Sequence, residues 1–222
     1  MEISVTYYIC STELFRILFS PAMYEILFAT LLEKISLTQD EQDIIKSYFI
    51  PRKLKKKQFL LQAGDVCNRI TFVEKGSLYS YSTDEKGTQH IIQFAFEGWW
   101  IGDPHSLLTK EPSKLNIEVL EECQLLQLHK ENEQILFDKV PAFETYARIR
   151  FQNAFIFLQK RIESTLGLSA EEKYNYLLKE YPDIVTRVPL HLIAHFLGVT
   201  PESLSRIRNQ LTQQIPGKKS SI

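Results

Sequence analysis

The spacing of apolar residues changes character twice along this chain. Residues 23–50 read as helical, ending on Ile44, Ile45, Tyr48 and Phe49 at helical spacing. Thr38 with Glu41 three residues later makes a capping box. Pro51 is expected to stop that helix, because its ring removes a donor and clashes with the preceding turn. From 52 to about 130 the apolar runs shorten to FLLQ, ITFVE, LYSYST, HIIQFAF, LNIEVLE and CQLLQLH. Turn residues separate them: Gly64-Asp65, Lys75-Gly76, Asp84-Glu85-Lys86-Gly87, Glu97-Gly98 and Glu111-Pro112. Runs rich in β-branched and aromatic residues at this spacing predict an antiparallel jelly roll of about eight strands.

From Pro141 to Leu166 the helical period returns, with Pro141 suited to the first helical position. Phe151, Phe155, Leu158, Ile162 and Leu166 make one stripe. Phe143, Ala147, Ala154 and Phe157 widen the apolar surface onto another face. One helix buries one stripe against its own roll, so a second apolar face calls for another partner. At ~1.5 Å per residue the helix is about 39 Å long, which suits a dimer seam. Gly167 is expected to cap it. Ser169 with Glu172 is a second capping box, opening a helix that runs to about Tyr181, and Pro182-Asp183 is a turn.

Residues 189–213 read PLHLIAHFLGVTPESLSRIRNQLTQ. Leu192, Ile193 and Phe196 are the buried face of a first short helix. Ala194 lets a second helix approach, and Gly198 sits where the chain reverses, since glycine accepts positive φ. Thr200 caps the second helix and Pro201 opens it. Leu204, Ile207 and Leu211 anchor it. Thr200, Glu202, Ser203, Ser205, Arg206, Arg208 and Asn209 remain as the candidate DNA-binding residues. That arrangement is what a helix-turn-helix requires: an anchored second helix whose exposed N-terminal half carries Arg, Glu and Ser toward base edges.

Charge supports this placement. The chain has 222 residues and a net charge of −1, so it does not bind nucleic acid by bulk charge. Residues 187–222, however, hold Arg187, Arg206, Arg208, Lys218 and Lys219 against Glu202, a net of +4 on a body that carries the opposite sign. The length fits one or two domains, and composition is that of a folded globular protein. Cys10, Cys67 and Cys123 are too widely spaced for a disulfide scaffold or a cysteine metal motif, and a reducing, cytoplasmic setting fits them. Residues 14–32 are strongly apolar but interrupted by Arg16, Pro21 and Glu25, so helices packed on the protein's own surface are expected rather than a membrane span.

Enzyme motifs are absent. The roll has His90, His105 and His129 without the close His and carboxylate pairing of a metal-dependent rolled enzyme. His191 and His195 lie four apart, but the residues between them lack the glutamate of a zinc protease motif. No metal or other cofactor is expected. The basic run Arg52-Lys53-Leu54-Lys55-Lys56-Lys57 has two readings: a solvated strand edge, or an auxiliary contact surface for DNA or RNA polymerase.

The pattern Ile193-Ala194-x-x-Leu197-Gly198-Val199-Thr200-x-Glu202-Ser203-Leu204-Ser205-Arg206 resembles the helix-turn-helix of the Crp/Fnr family of bacterial transcription regulators. Phe59-Leu60-Leu61-x-x-Gly64-Asp65 followed by Phe72-Val73-x-x-Gly76-Ser77-Leu78 is similar to the opening strands of that family's cyclic-nucleotide-binding-type domain. The resemblance covers about residues 35–213. It implies an α+β chain: a β-roll sensor domain over 23–140, a dimerisation helix over 141–167 and an all-α helix-turn-helix domain over 168–222. It implies double-stranded DNA and a second copy of the chain as partners, with RNA polymerase a further one and no membrane. Residues 1–22 lie outside the resemblance, and since Met23 starts an amphipathic segment they read as an extension not needed for the fold.

Of the family's base-reading positions, Glu202 and Arg206 match, while Pro201 stands where the first arginine is expected, which implies a different target sequence. In the effector pocket the resemblance points to Gly102, Asp103, Ser113 and Lys114. The arginine that holds a cyclic phosphate is missing there, and lysine does not replace its bidentate fork. The four N-terminal cysteines of the oxygen-sensing branch are missing too. A regulator with an effector other than cyclic AMP, or with none, is therefore expected. The alternative is a small-ligand sensor whose C-terminal helices bind protein rather than DNA.

Overall fold

The computed structural model describes residues 21–214. Most of the extension expected over 1–22, with Cys10, Lys218 and Lys219, lies outside those residues. The chain folds as two compact units. One holds the residues up to Leu78 together with Ala95–Arg148, and the other holds Tyr79–Phe94 together with the residues from Ile149 onward.

In the first unit a 3-10 turn at Pro21–Tyr24 leads into helix α1, Glu25–Leu32, whose Leu27, Phe28 and Leu31 are buried in the unit's own core. Helix α2 spans Gln39–Tyr48. Its capping box forms as the sequence predicts: Thr38 Oγ1 accepts from the Glu41 N–H at 3.3 Å, and the Glu41 carboxylate accepts from the Thr38 N–H at 2.8 Å. The helical stretch expected over 23–50 is thus two helices, and it ends before Pro51. Phe49–Leu54 is already strand β1, with Pro51 inside it. Proline is tolerated there because β1 is the outer strand of its sheet, so its missing N–H leaves a gap only on the open side.

Among the described residues eight strands form, as expected. The others are β2 (Phe59–Leu61), β3 (Arg69–Lys75), β4 (Leu78–Thr83), β5 (Gln89–Ala95), β6 (Trp100–Ile101), β7 (Asn116–Val119) and β8 (Cys123–His129). The first sheet has the order β1-β8-β3-β6 and is antiparallel throughout. In the second sheet β2 pairs with β7, and β4 with β5. Helix α3, Pro104–Thr109, interrupts the roll between β6 and β7 and was not legible in the period-2 pattern. Helix α4, Lys130–Lys139, follows β8.

The first sheet is buried on both faces. Phe72, Leu126 and Leu128 face the helical layer, where they meet Leu27, Leu31, Ile45, Leu136, Val140 and Phe143. Val73 and Leu125 face the roll interior with Leu61, Ile101, Ile117 and Val119. Trp100 sits among Phe49, Phe72 and Tyr146, and its indole N–H donates to the Tyr146 hydroxyl at 2.9 Å. Trp100 packs on the helical side of the sheet in this way, and Trp99 packs against the roll interior.

Helix α5, Pro141–Gly167, begins in this core with Phe143, Tyr146 and Ala147 buried. Farther along, its stripe is open: Phe155 is 68% exposed, Leu158 54% and Leu166 83%. Gly167 is the last helical residue and does not take the left-handed conformation of a cap. The Ser169–Glu172 capping box then opens helix α6, Ala170–Glu180, with Ser169 Oγ accepting from the Glu172 N–H at 3.3 Å. A short helix α7, Ile184–Arg187, follows the expected turn at Pro182-Asp183.

One long-range contact ties the N-terminal helix to the roll. The first turn of a helix has N–H groups without partners, and Tyr24 offers no side-chain cap to α1. Glu74 of β3, only 4% exposed, supplies one instead: its carboxylate accepts from the Ile26 N–H at 2.6 Å and the Leu27 N–H at 3.1 Å. Burial raises the Glu74 carboxyl above its ordinary pKa, and the two N–H donors only partly oppose this. Glu74→Ala should cost about 1–3 kcal/mol in denaturant unfolding, because buried donors lose their acceptor. The proton is held more tightly in the folded state, so this group's contribution is greatest at acid pH. The stability difference between wild type and Glu74→Gln should therefore shift against wild type as pH rises through the raised pKa.

Candidate nucleic-acid interface

The second unit carries two helices joined by a tight turn. Helix α8, Leu190–Leu197, buries Leu192, Ile193, Ala194 and Leu197. Phe196, expected in that buried set, is half-buried, and Leu197 takes its place because it lies four residues after Ile193 on the same helix face. Gly198 has φ +69°. A β-carbon there would face about 1–2 kcal/mol of backbone strain. Its N–H donates to the His195 carbonyl at 3.2 Å, and the Val199 N–H donates to the Ala194 carbonyl at 3.0 Å. Those bonds satisfy the end of α8 while the chain turns.

Helix α9, Pro201–Gln214, starts with proline in its first turn. Thr200 Oγ1 accepts from the Ser203 N–H at 3.2 Å, and its hydroxyl lies 3.1 Å from that of Ser203. Both hydroxyls are therefore engaged in capping. Leu204 is fully buried and Ile207 nearly so, which fixes the inner face of α9 against α8 and α6. The outer face presents Glu202, Ser205, Arg206, Arg208 and Asn209 to solvent. Glu202 and Arg206 stand one turn apart. The Glu202 carboxyl is held below its ordinary pKa by its own N–H, by the Thr200 hydroxyl and by the Arg206 charge. The Arg208 charge acts on the buried Tyr174 of α6, whose phenol burial pushes upward. Of the seven residues singled out from the sequence, all lie on one short stretch, with Thr200 and Ser203 shaping the helix start.

Sequence reasoning missed what holds Phe196. Its ring packs on Phe94 at 5.2 Å, and the Arg161 guanidinium lies 4.1 Å above its centroid. Arg161 also donates to the Ile91 carbonyl at 2.7 Å. Nothing in the local pattern around Arg161 pointed to that role, since it falls in the polar run Gln159-Lys160-Arg161, where an arginine reads as part of a solvated face.

The four effector-pocket residues lie in the first unit. Asp103 is buried and caps α3, accepting from the His105 N–H at 3.0 Å and the Ser106 N–H at 3.3 Å. Its other oxygen accepts from the buried Ser113 hydroxyl at 2.7 Å. Ser113 also pins the loop through its backbone, donating to the Asp65 carbonyl and accepting from the Gly64 N–H, each at 2.8 Å. Lys114 points to solvent, and Gly102 lines a cavity at the end of the roll. Asp103 and Ser113 are thus brought together, Gly102 stands beside them, and Lys114 is apart. Of the basic run, Lys53 and Lys55–Lys57 are exposed, whereas Arg52 turns toward the same cavity as Gly102.

Cys67 and Cys123 are buried thiols that are not joined in a disulfide. Among the described residues no group of three or more His, Cys, Asp or Glu stands close enough to hold a metal, and no helix is long and apolar enough to cross a membrane.

Residues 51–139 match the cyclic nucleotide-binding domain family. The chain is 26% identical over 206 residues to an anaerobic regulatory protein of Pasteurella multocida, an alignment spanning 80% of this chain and 69% of that one. FixK2 of Bradyrhizobium japonicum superposes with a TM-score of 0.66 at 16% identity, covering 78% of this chain and 89% of FixK2. A Eubacterium rectale protein assigned to the Crp/Fnr family of transcriptional regulators superposes with a TM-score of 0.59 at 17% identity, covering 83% and 88%. The roll, the long helix, the helical C-terminal unit and these relatives converge: the chain carries a cyclic nucleotide-binding domain over residues 51–139, and over most of its length it is similar to regulators of the Crp/Fnr type.

Proposed function

We propose that this regulator binds double-stranded DNA as a homodimer, through α9 of each copy. The observation that carries the reading is the two-sided α9: Leu204 and Ile207 are buried, while Glu202, Ser205, Arg206 and Asn209 face water in its first three turns. A polar helix start fixed in position and free of intramolecular cover is what insertion into a major groove needs. Residues 23–140 are the sensor roll in this reading, 141–167 the dimerisation helix and 168–222 the DNA-binding part. A cytoplasmic location follows from that role, and RNA polymerase is a further partner by family resemblance.

The dimer seam is the open stripe of α5. Phe151, Phe155, Leu158, Ile162 and Leu166 are each at least half exposed in a single chain. A second copy removes that surface from water, at about 25 cal/mol per Å² of apolar area. The two recognition helices then read half-sites about 34 Å apart on a near-palindromic operator. Leu158→Glu should shift sedimentation velocity from dimer toward monomer at micromolar concentration, because a charge enters a dry seam. A wild-type chain that sediments as a monomer there contradicts the seam.

Glu202 near the helix start can accept from a cytosine amino group, and Arg206 one turn later can give two bonds to guanine. Arg206→Ala should cost about 1–3 kcal/mol at one base pair per half-site and relax specificity there, read by selection from random duplexes. An unchanged preferred sequence assigns Arg206 to phosphate contact or to structure. Lys218→Ala, at a position outside the described residues, should by contrast weaken binding to all sequences alike and flatten the salt dependence.

The effector position favours no cyclic nucleotide. Ser113 and Lys114 stand where an arginine fork is required, and the Ser113 hydroxyl is already given to Asp103. Calorimetry should find cyclic AMP binding weaker than micromolar. Micromolar affinity overturns this.

A further inference from the structure

One cavity of the first unit has no role in DNA binding or dimerisation. It measures about 360 Å³, within the range of small-molecule sites. It lies at the end of the roll, where the inward face of the first sheet stops being apolar. Leu54, Val73 and Leu125 fill the interior. Beyond them the same face carries Arg52, Arg69, Thr71 and Gln127, with Thr71 directly opposite Gln127 and Arg52 opposite Leu125 in the strand register. Leu60, Leu61 and Ile117 form the facing wall. The hollow is therefore cationic on one side and aliphatic on the other.

The two guanidiniums are poorly served by the protein. Arg69 Nε is buried without a hydrogen-bond partner, and its Nη1 lies 3.5 Å from Gln127 Oε1, the limit of a bond. Gln127 is itself held, donating to Thr71 Oγ1 at 3.2 Å. Among the described residues neither Arg52 nor Arg69 has a carboxylate within ion-pairing distance. Asp65 is the carboxylate in the lining, and it is exposed. Burial and the neighbouring Arg69 charge together lower the Arg52 pKa. Two like charges drawn half out of water without a counter-charge carry a standing cost. The same pair offers two planar donor forks to a tetrahedral oxyanion. Arg52 and Arg69 are not among the residues that the family resemblance assigns to an effector, although Gly102, which is one of those, also lines this cavity.

We propose that this cavity binds a small phosphomonoester, its dianionic phosphate between Arg52 and Arg69 and its apolar body against Leu60, Leu61 and Ile117. A dianion matches the two positive charges, and the aliphatic wall favours an organic ester over the bare ion. The site is independent of the DNA-binding reading.

Phenyl phosphate is the probe, titrated calorimetrically into the full-length protein, with inorganic phosphate and phenylacetate as comparisons. Saturable one-to-one binding of phenyl phosphate is expected, at least tenfold tighter than either comparison. Arg52→Gln and Arg69→Gln should each weaken it at least tenfold, while Lys114→Gln leaves it unchanged. Arg69→Lys keeps the charge but not the fork and should fall between. Because Arg52→Gln relieves like-charge repulsion, the unliganded variant should unfold at no lower a temperature than wild type, which separates loss of a site from loss of the fold. Absence of binding, binding indifferent to both arginines, or phenylacetate binding as tightly as phenyl phosphate overturns the proposal.

Discussion

A row of large apolar side chains facing water is costly, and α5 carries one along most of its length. Its first turns are buried beside Trp100 and Phe49, so the helix is anchored where it begins. After Arg148 the large residues Phe151, Phe155, Leu158, Ile162 and Leu166 open to solvent. Fully burying one such side chain is worth about 1.5–3 kcal/mol, so the stripe represents a substantial driving force for association. The proposed dimer, and with it the proposed spacing of two α9 helices on a near-palindromic target, rests on that one exposed row.

The same economy explains the loop at the proposed effector position. A buried carboxylate needs donors, and Asp103 obtains them from the first turn of α3 and from Ser113. A loop that satisfies its own polar groups does not call for a phosphate. At the end of the roll the opposite holds: Arg52 and Arg69 are cations without carboxylate partners at pairing distance among the described residues. The polar chemistry left open in the first unit therefore rests on two arginines that the family motif does not mark, in a cavity that Gly102 of that motif also lines.

The parts legible in the sequence were those set by local rules. Both capping boxes, the left-handed Gly198, the proline-led α5 and α9, and the strand count follow from short-range sterics and hydrogen bonding. The parts that were not legible depend on partners far away in the chain. Pro51 reads locally as a helix stop, yet sheet position made it an edge-strand residue. Helix α3 is short and exists because Asp103 caps it within a loop closed by Ser113. Glu74 reads as one polar residue of an alternating strand, while its role is to cap a helix 48 residues earlier. Arg52 reads as one member of a solvated basic run, and only the sheet register turns it inward beside Arg69.

The central claim is that two copies of α9 together read DNA. The most direct measurement is a gel shift of the full-length chain on a library of genomic fragments, across a salt series, with the stoichiometry of the shifted species determined. The account predicts a sequence-selective complex of two chains per duplex whose affinity falls steeply with added salt, as phosphate contacts require. Failure to shift any fragment at low salt, or a one-chain complex with no sequence preference, contradicts it.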